Sequence, residues 1–266
     1  DGVANSDAHV SNEQSAFGLT ASQRIVGGTF HSVAHQTLRR NAQAVGLAEG
    51  FGVIDPSDAA DLIDIIRDDV IQDRVLRRRL PRKASLLNIY TRAVDTDKPI
   101  SETLASVAPW AVNNSEEIMT ICRQYVLRKR ELGVLDFDDL LLYWREALAH
   151  PKLGPQIAGR YDHVLVDEYQ DVNALQVDVL QHLAGGNQTL TVVGDDAQSI
   201  YSFRASSPEH ILEFPDVFSG AQTLALTTNY RSTQAIINVA NALGSEAPRG
   251  FSTKLTSFGH SVRSDP

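Results

Sequence analysis

Short apolar runs alternate with amphipathic segments in the part of the chain that follows Pro155. The apolar runs cover residues 163–166, 190–193 and 223–226, and each is brief and ends at polar residues or glycine. This alternation predicts α/β structure, with parallel strands that are covered on both faces. Between the first two runs, an amphipathic pattern predicts a helix over residues 174–183.

Near the start of the sequence, the apolar pair Ile25-Val26 precedes the glycines Gly27 and Gly28. It predicts a short buried strand in the same sheet, followed by a helix over residues 32–44. Residues 1–24 are polar and show no sustained period, which predicts a flexible arm.

Residues 56–150 show no strand signal and carry helical periodicity instead. Within this block, Ser115 is predicted to cap a helix that runs to Gly133, and Asp136 is predicted to cap a helix over residues 137–149. We therefore predict a core formed by residues 25–55 and 151–245, a helical insertion over 56–150, and a tail over 246–266.

Composition narrows the class of protein. The 266 residues are 42% hydrophobic, which suffices for a sizeable core, and no apolar run is long enough for a membrane span. A single cysteine favours a reducing compartment, so a cytoplasmic location is expected. The formal net charge of −9 argues against a protein that coats nucleic acid by bulk charge.

One local stretch has the opposite charge. Between Arg67 and Arg92, eight cations face three aspartates, which gives 8 − 3 = +5. The run is either a duplex DNA contact or a solvated helix face. The cations are Arg67, Arg74, Arg77, Arg78, Arg79, Arg82, Lys83 and Arg92.

Two adjacent carboxylates, Asp167 and Glu168, follow the first predicted strand after Pro155. Ligands of open α/β sheets bind beyond the carboxyl ends of strands. There, one carboxylate can hold Mg²⁺ and its neighbour can polarise an attacking water. The simpler interpretation is a pair of loop carboxylates before a helix.

Polar and aromatic residues follow the next two predicted strands. Gln198 can sense a phosphate or its attacking water, while Tyr201, Phe203 and Arg204 suit base stacking beside a phosphate-binding cation, or the two aromatic residues belong to the core. After the third strand, Tyr230 and Arg231 precede a helix predicted to be capped by Ser232. The Arg231 guanidinium can stabilise a transferring phosphoryl group or form a surface ion pair.

Taken together, these segments resemble the motor motifs of superfamily 1 DNA helicases of the UvrD, Rep and PcrA type. The resemblance spans about residues 24–243 and implies a RecA-like parallel sheet core of the P-loop NTPase type with an inserted all-helical subdomain. The matching segments are GGTFHS at 27–32, LDFDDLL at 135–141, DEYQD at 167–171, GDDAQSIYSFR at 194–204 and NYRS at 229–232.

The resemblance also implies an ATP-dependent motor with ATP and Mg²⁺, which translocates on single-stranded DNA and unwinds 3′ to 5′. Its implied partners are single-stranded DNA, a duplex junction, and repair or replication proteins. By this similarity Asp167 holds Mg²⁺, Glu168 activates the hydrolytic water, and Gln198 couples phosphate to DNA. The similarity also implies that Tyr230 packs on adenine, that Gln170 lies at the nucleotide, and that Arg231 is an arginine finger. The residues implied to line the single-strand track are Thr29, His31, Tyr201, Phe203 and Arg204.

Two features depart from the family pattern. None of the lysines follows a glycine, so the sequence contains no Gly-Lys-Thr or Gly-Lys-Ser phosphate-binding loop. The sequence also ends soon after the NYRS segment, before a second motor domain. We therefore expect a part of a longer helicase, which lacks ATPase activity on its own.

Two other functions are compatible with parts of the sequence. One is a non-catalytic DNA- or protein-binding module derived from a helicase domain, although such a module has no need for Glu168 or Arg231. The other is a metal-dependent nuclease that uses Asp167, Glu168 and Asp171, which leaves Gln198 and Arg231 unexplained.

Overall fold

A computed structural model describes residues 25–185, 189–199, 209–246 and 254–258. Within these ranges the chain forms helices around two hydrophobic cores and three pairs of short parallel strands. The strands are β1 (Gly52–Val53), β2 (Val134–Leu135), β3 (His163–Val166), β4 (Thr189–Val192), β5 (Thr228–Asn229) and β6 (Thr256–Ser257). They pair as β1 with β2, β3 with β4, and β5 with β6.

Helices account for most of the described chain. The first nine are α1 (Phe30–Asn41), α2 (Pro56–Val70), α3 (Arg74–Arg79), α4 (Lys83–Asp95), α5 (Ile100–Val107), α6 (Ser115–Leu132), α7 (Phe137–Ala149), α8 (Leu153–Ala158) and α9 (Ala174–Ala184). After β4 come the short α10 (Glu209–Leu212) and α11 (Phe214–Val217), and then α12 (Gln234–Glu246). None of the described helices is long and apolar enough to cross a bilayer.

The first core packs α1, α7, α8 and α9 against one face of the β3–β4 pair. The predicted strand over 163–166 is confirmed as β3, and the predicted helices over 137–149 and 174–183 are confirmed as α7 and α9. Helix α7 begins where predicted because the Asp136 side chain accepts a hydrogen bond from the Asp139 amide at 2.8 Å. The Asp139 carboxylate accepts one from the Asp136 amide in return, which completes a capping box.

The second core lies among α2, α4, α5 and α6. Helix α2 starts at Pro56, and the Asp55 side chain caps it by accepting from the amides of Ser57 and Asp58. This core contains buried side chains from Ala59 to Tyr125, whereas α7, which is also part of the predicted helical block over residues 56–150, packs on the first core.

Two predicted strands are wrong. Residues 25–26 form no strand, and Ile25 is 76% exposed; residues 223–226 are also irregular, with Leu224 86% exposed. A strand needs a hydrogen-bonded neighbour, and neither segment has one within the described ranges. The prediction of strands covered on both faces is therefore wrong as well, because Leu165 of β3 is 77% exposed. The α/β prediction is confirmed only in its coarser form, parallel strands packed with helices.

Several predicted helix boundaries shift by a few residues. Helix α1 starts at Phe30 rather than residue 32, and a 3₁₀ turn over Ala42–Val45 completes it. Ser115 is the first helical residue of α6 rather than its cap, since Asn114 precedes it without a capping hydrogen bond. Gly133, in the left-handed conformation with φ of 63°, ends α6 as predicted.

Candidate active site

The carboxyl ends of β3 and β4 lie side by side because the two strands are parallel and in register. The pairing continues past the strands, where the Val193 amide donates to the Val166 carbonyl at 2.8 Å and the Tyr169 amide donates to the Val193 carbonyl at 2.9 Å. Asp167 and Glu168 therefore stand at this edge of the sheet, and both are exposed. This is where ligands of open α/β sheets bind.

Glu168 adopts an unusual backbone conformation. Its φ is +52°, in the left-handed region that non-glycine residues rarely adopt, and its amide donates to the Asp167 carboxylate at 3.0 Å. A 3₁₀ turn over Tyr169–Asp171 follows directly. Backbone strain of this kind costs of order 1–3 kcal/mol and clusters at functional sites.

Gln198 ends a 3₁₀ turn, Asp196–Gln198, that follows β4. Its side-chain amide donates to the Asp195 carboxylate at 2.7 Å. The Asp195 amide in turn donates to the buried Gln170 side chain, which also contacts Glu168. The structure thus brings four predicted site residues together at one sheet edge: Asp167, Glu168, Gln170 and Gln198.

The donor set at this edge suits Mg²⁺ that arrives with a nucleotide. One oxygen of the exposed Asp167 carboxylate accepts a hydrogen bond from the Glu168 amide. Its second oxygen has no hydrogen-bond donor among the described residues. One Asp171 carboxylate oxygen is buried without a partner in the described chain. Burial and the Glu168 charge raise the pKa of Asp171. Mg²⁺ is held by one or two carboxylates with waters and phosphate oxygens, so this set fits it.

The three carboxylates that the nuclease alternative requires do not converge. Within the described ranges, no group of three or more His, Cys, Asp or Glu side chains is placed to hold a metal ion. Asp167 and Glu168 are instead engaged in separate hydrogen bonds, the first with the Glu168 amide and the second with the Gln170 side chain.

Tyr230 and Arg231 lie in a second group, formed by residues 227–246 and 254–258. The Asn229 side chain accepts from the amides of Arg231 at 2.9 Å and Ser232 at 2.7 Å. The Tyr230 ring packs on Phe258, with ring centroids 4.8 Å apart. Ser232 is not the helix cap, because α12 begins only at Gln234.

Among the described residues, no hydrogen bond joins the second group to the first. No bond between described residues links Arg231 to Glu168 or Gln198, and the Arg231 side chain is exposed. The predicted ion pair of Arg231 is also not formed within the described chain. Its guanidinium is therefore available to an anionic ligand.

Thr29 and His31 lie at the start of α1. Thr29 caps the helix by accepting from the Ser32 amide at 3.3 Å, and the Ser32 hydroxyl donates to the Thr29 carbonyl at 2.8 Å. The His31 ring packs on Phe137 of α7, with centroids 5.7 Å apart. Burial lowers the pKa of His31, so its imidazole is neutral at pH 7 and can stack but does not attract phosphate by charge.

The remaining predicted DNA residues, Tyr201, Phe203 and Arg204, lie outside the described residues. Their sequence position places them directly after the Gln198 turn. Sequence reasoning missed two neighbours of the described candidate residues: Phe137 beside His31, and the Asp195 carboxylate beside Gln198. The only signal for either was its place inside the LDFDDLL and GDDAQ segments.

The basic run divides into paired and unpaired cations. Arg67 pairs with Asp64 and Asp68, Arg77 with Asp68, and Lys83 with Asp61. The others within α3 and its flanks are exposed and form no ion pair with a described residue. We call these four side chains the arginine patch: Arg74, Arg78, Arg79 and Arg82.

Comparison with known proteins places these observations in a family. The sequence model described as UvrD/REP helicase N-terminal domain matches residues 7–219. The ATP-dependent DNA helicase PcrA of Staphylococcus aureus strain Mu50 is 31% identical over 235 residues, which cover 86% of this chain and 31% of the relative.

Two further relatives agree. The putative ATP-dependent DNA helicase YjcD of Bacillus subtilis strain 168 is 30% identical over 82% of this chain and 28% of its own length. PcrA of Staphylococcus epidermidis is 31% identical over 80% of this chain and 28% of its length. The chain thus spans about a third of the length of these curated relatives. It belongs to the UvrD/REP helicase N-terminal domain family.

Proposed function

We propose that this chain supplies the hydrolytic edge and part of the single-strand track of an ATP-dependent DNA helicase that moves 3′ to 5′. In this proposal residues 25–55 and 151–245 form a RecA-like core and residues 56–150 form the helical insertion. One observation carries the proposal most directly: Glu168 and Gln198 are connected by hydrogen bonds at the ends of neighbouring parallel strands.

In this proposal Asp167 holds Mg²⁺, which supplies charge neutralisation on the ATP phosphates. The Glu168 carboxylate orients a water for attack on the γ-phosphorus and takes its proton, while the bond from the γ-phosphorus to the bridging oxygen breaks and ADP leaves. The exposed Arg231 guanidinium stabilises charge on the transferring group, and the Tyr230 ring, 63% exposed, stacks on the adenine.

The DNA side of the proposal uses residues on both sides of this edge. Thr29 and the neutral His31 lie at the start of α1, and Tyr201, Phe203 and Arg204 follow the Gln198 turn. Aromatic rings that stack on bases beside a phosphate-binding cation suit single-stranded DNA of any sequence. Repair or replication proteins are the proposed protein partners.

The nucleotide is incompletely held by these residues. A P-loop lysine on the β- and γ-phosphates and a hydroxyl on Mg²⁺ position ATP in this class of motor, and no lysine of the 266 residues follows a glycine. We therefore propose that the 266 residues alone do not turn over ATP, although they carry Glu168 and Arg231.

A steady-state phosphate-release assay with saturating single-stranded DNA tests this proposal. We expect no ATPase rate above that of the Glu168→Gln variant, because the base is present but the substrate is not positioned. Glu246→Gln, at the end of α12, serves as a matched control for the substitution itself. Turnover near one per second, within the usual enzyme range, that disappears only in Glu168→Gln would contradict it.

The second candidate function is a non-catalytic binding module, which does not require a phosphate-binding loop. Both functions predict that the 266 residues have no ATPase activity. They are therefore distinguished with a longer chain rather than with a truncated one. Under the motor proposal, a longer chain that contains a Gly-Lys-Thr loop has DNA-stimulated ATPase activity that depends on Glu168. Under the module alternative, Glu168→Gln has no effect on any activity of the protein.

We further propose that the arginine patch contacts the phosphates of a duplex junction. Its four arginines are exposed and form no ion pair in the described chain. By contrast, the Arg77 guanidinium donates to the Ile71 carbonyl and pairs with Asp68. Unpaired cations release the counterions of DNA without first breaking an ion pair. We therefore expect the contact at Arg78 and its exposed neighbours rather than at Arg77.

The salt dependence of duplex binding tests this contact. We expect the double variant Arg78→Ala, Arg82→Ala to flatten the slope of log affinity against log salt by about 0.9 for each arginine that neutralises a phosphate in the wild type, with the largest effect at low salt. Arg123→Ala with Arg130→Ala, both exposed on α6, is the matched control and should leave the slope unchanged. An unaltered slope in the first double variant would make the patch a solvated helix face.

A further inference from the structure

The Gln170 side chain is buried, at 1% exposure, yet both ends of its amide are occupied by polar groups. Its Nε2 donates to the Glu168 carboxylate Oε2 at 2.7 Å, and its Oε1 accepts from the Asp195 amide at 3.0 Å. Rotation of the amide by half a turn would oppose acceptor to acceptor and donor to donor. The orientation of Gln170 is therefore fixed by Glu168 and Asp195 together.

The connection continues from Asp195 to Gln198. The Asp195 carboxylate accepts from the Ala197 amide at 3.0 Å through Oδ1 and from the Gln198 side-chain amide at 2.7 Å through Oδ2. A continuous chain of hydrogen bonds therefore runs from Glu168 through Gln170 and Asp195 to Gln198. It crosses from the turn after β3 to the turn after β4.

Gly194 provides the space that this chain of bonds requires. A Cβ at that position would lie 2.6 Å from Gln170 Oε1 and 3.2 Å from the Gln170 backbone nitrogen. Only a residue without a side chain allows the two turns to approach so closely. The Tyr169 amide bond to the Val193 carbonyl holds the same two turns together from the backbone.

We propose that Gln170 is a positioning residue that orients the Glu168 carboxylate according to the state of the Gln198 turn. This inference rests on the proposed function, in which Glu168 activates water and the residues after Gln198 contact DNA. Gln170 holds Oε2 of Glu168 and leaves Oε1 to take the proton of the water. A movement of the Gln198 turn reaches the carboxylate through Asp195 and Gln170, so Gln170 acts through Glu168 and does not bind the nucleotide itself.

Side-chain amide signals of ¹⁵N-labelled chain test the inference without ATP. On saturation with an oligothymidylate, the Gln198 and Gln170 amide signals should both shift in the wild type. In Asp195→Ala, which cuts the chain of bonds, the Gln170 shift should fall by half or more while Gln198 still responds. Asp195→Asn should restore it, because the Gln198 amide can turn its oxygen toward the new donor. Gln156, exposed on α8, is the internal control and should not move.

Hydrogen exchange adds a measurement that does not depend on DNA. Gln170→Ala removes the acceptor of the Asp195 amide, so exchange of that amide should accelerate about threefold to tenfold relative to Gln156→Ala. Unchanged exchange would overturn the chain of bonds even if the Asp195→Ala variant did not fold.

The outcomes separate this inference from the proposed function. Binding of DNA with a Gln198 shift but no Gln170 shift, or a Gln170 shift that persists in Asp195→Ala, would overturn the role of Gln170 alone. Failure of the oligonucleotide to bind, measured by anisotropy on the same sample, would overturn the proposed function and with it the role of Gln170.

Discussion

Lys129→Met should destabilise the folded chain by about 3–5 kcal/mol. Lys129 is 1% exposed, and its ammonium lies 2.5 Å from Asp136 Oδ2 and 2.6 Å from Asp139 Oδ2. The substitution keeps the apolar length of the side chain but leaves two buried carboxylates without a cation, which costs far more than a broken surface pair.

The other described hydrogen-bond donors to these two carboxylates are neutral groups. The Tyr125 hydroxyl donates to Asp136 Oδ2 at 2.7 Å, and the rings of Tyr90 and Tyr125 flank the ammonium at 5.1 and 4.4 Å. Burial and the neighbouring Asp136 already raise the pKa of Asp139, and the Lys129 charge opposes that rise. The same carboxylates form the capping box of α7, so the destabilisation extends to a helix of the first core.

Urea unfolding at pH 7.5, followed by circular dichroism, measures the effect. Lys152→Met, an exposed lysine before α8, is the matched control and should change stability by less than about 0.5 kcal/mol. Adding Asp139→Asn to Lys129→Met should recover part of the stability, because one unpaired charge is removed. Equal stability of Lys129→Met and Lys152→Met would show that the carboxylates are compensated in another way.

Local signals explain what could be predicted from the sequence. The start of α7 follows from Asp136 and a carboxylate three residues later, and the position of β3 follows from a brief apolar run that ends at Asp167. Both depend on residues within one turn or one strand. A common site for Asp167, Glu168 and Gln198 was implied only by the resemblance to helicase motifs, and the structure groups them because β3 and β4 are parallel neighbours.

Features that depend on a distant partner could not be predicted. The apolar pair at Ile25 and the run around Leu224 have strand composition but no neighbouring strand in the described chain, and both are exposed. Lys129 lies between two arginines near the end of α6, yet it is on the face formed by Ile121 and Tyr125 and is buried there. Helical spacing indicates that face, but only the structure shows which carboxylates come to meet the ammonium.

Gln170 illustrates the same limit at the candidate site. The sequence shows a glutamine two residues after Glu168, and the resemblance to helicase motifs implies a place for it at the nucleotide. The structure shows it buried, with one end on Glu168 and the other on an amide 25 residues later in the chain. Nothing in the local sequence pattern indicates that Gly194 leaves room for the Gln170 side chain.

The second large effect concerns single-stranded DNA. The double variant Tyr201→Ala, Phe203→Ala should weaken oligonucleotide binding by about 30-fold or more, because each base–aromatic stack contributes roughly 1–3 kcal/mol and 1.4 kcal/mol is a factor of ten. The weakening should be similar for oligothymidylate and oligoadenylate and should change the salt slope little, since stacking releases no counterions.

Fluorescence anisotropy of a labelled single strand tests whether the chain carries a single-strand track. The strand is titrated separately with the wild-type chain, with this double variant and with Trp110→Ala. Trp110, an aromatic residue 62% exposed in the helical block, is the matched control. We expect tighter binding of single strands than of blunt duplex, an affinity reduced by about 30-fold or more in the double variant, and a change of less than about twofold in Trp110→Ala, as for a surface residue. Equal affinity of the wild type and the double variant for single strands would contradict the presence of such a track.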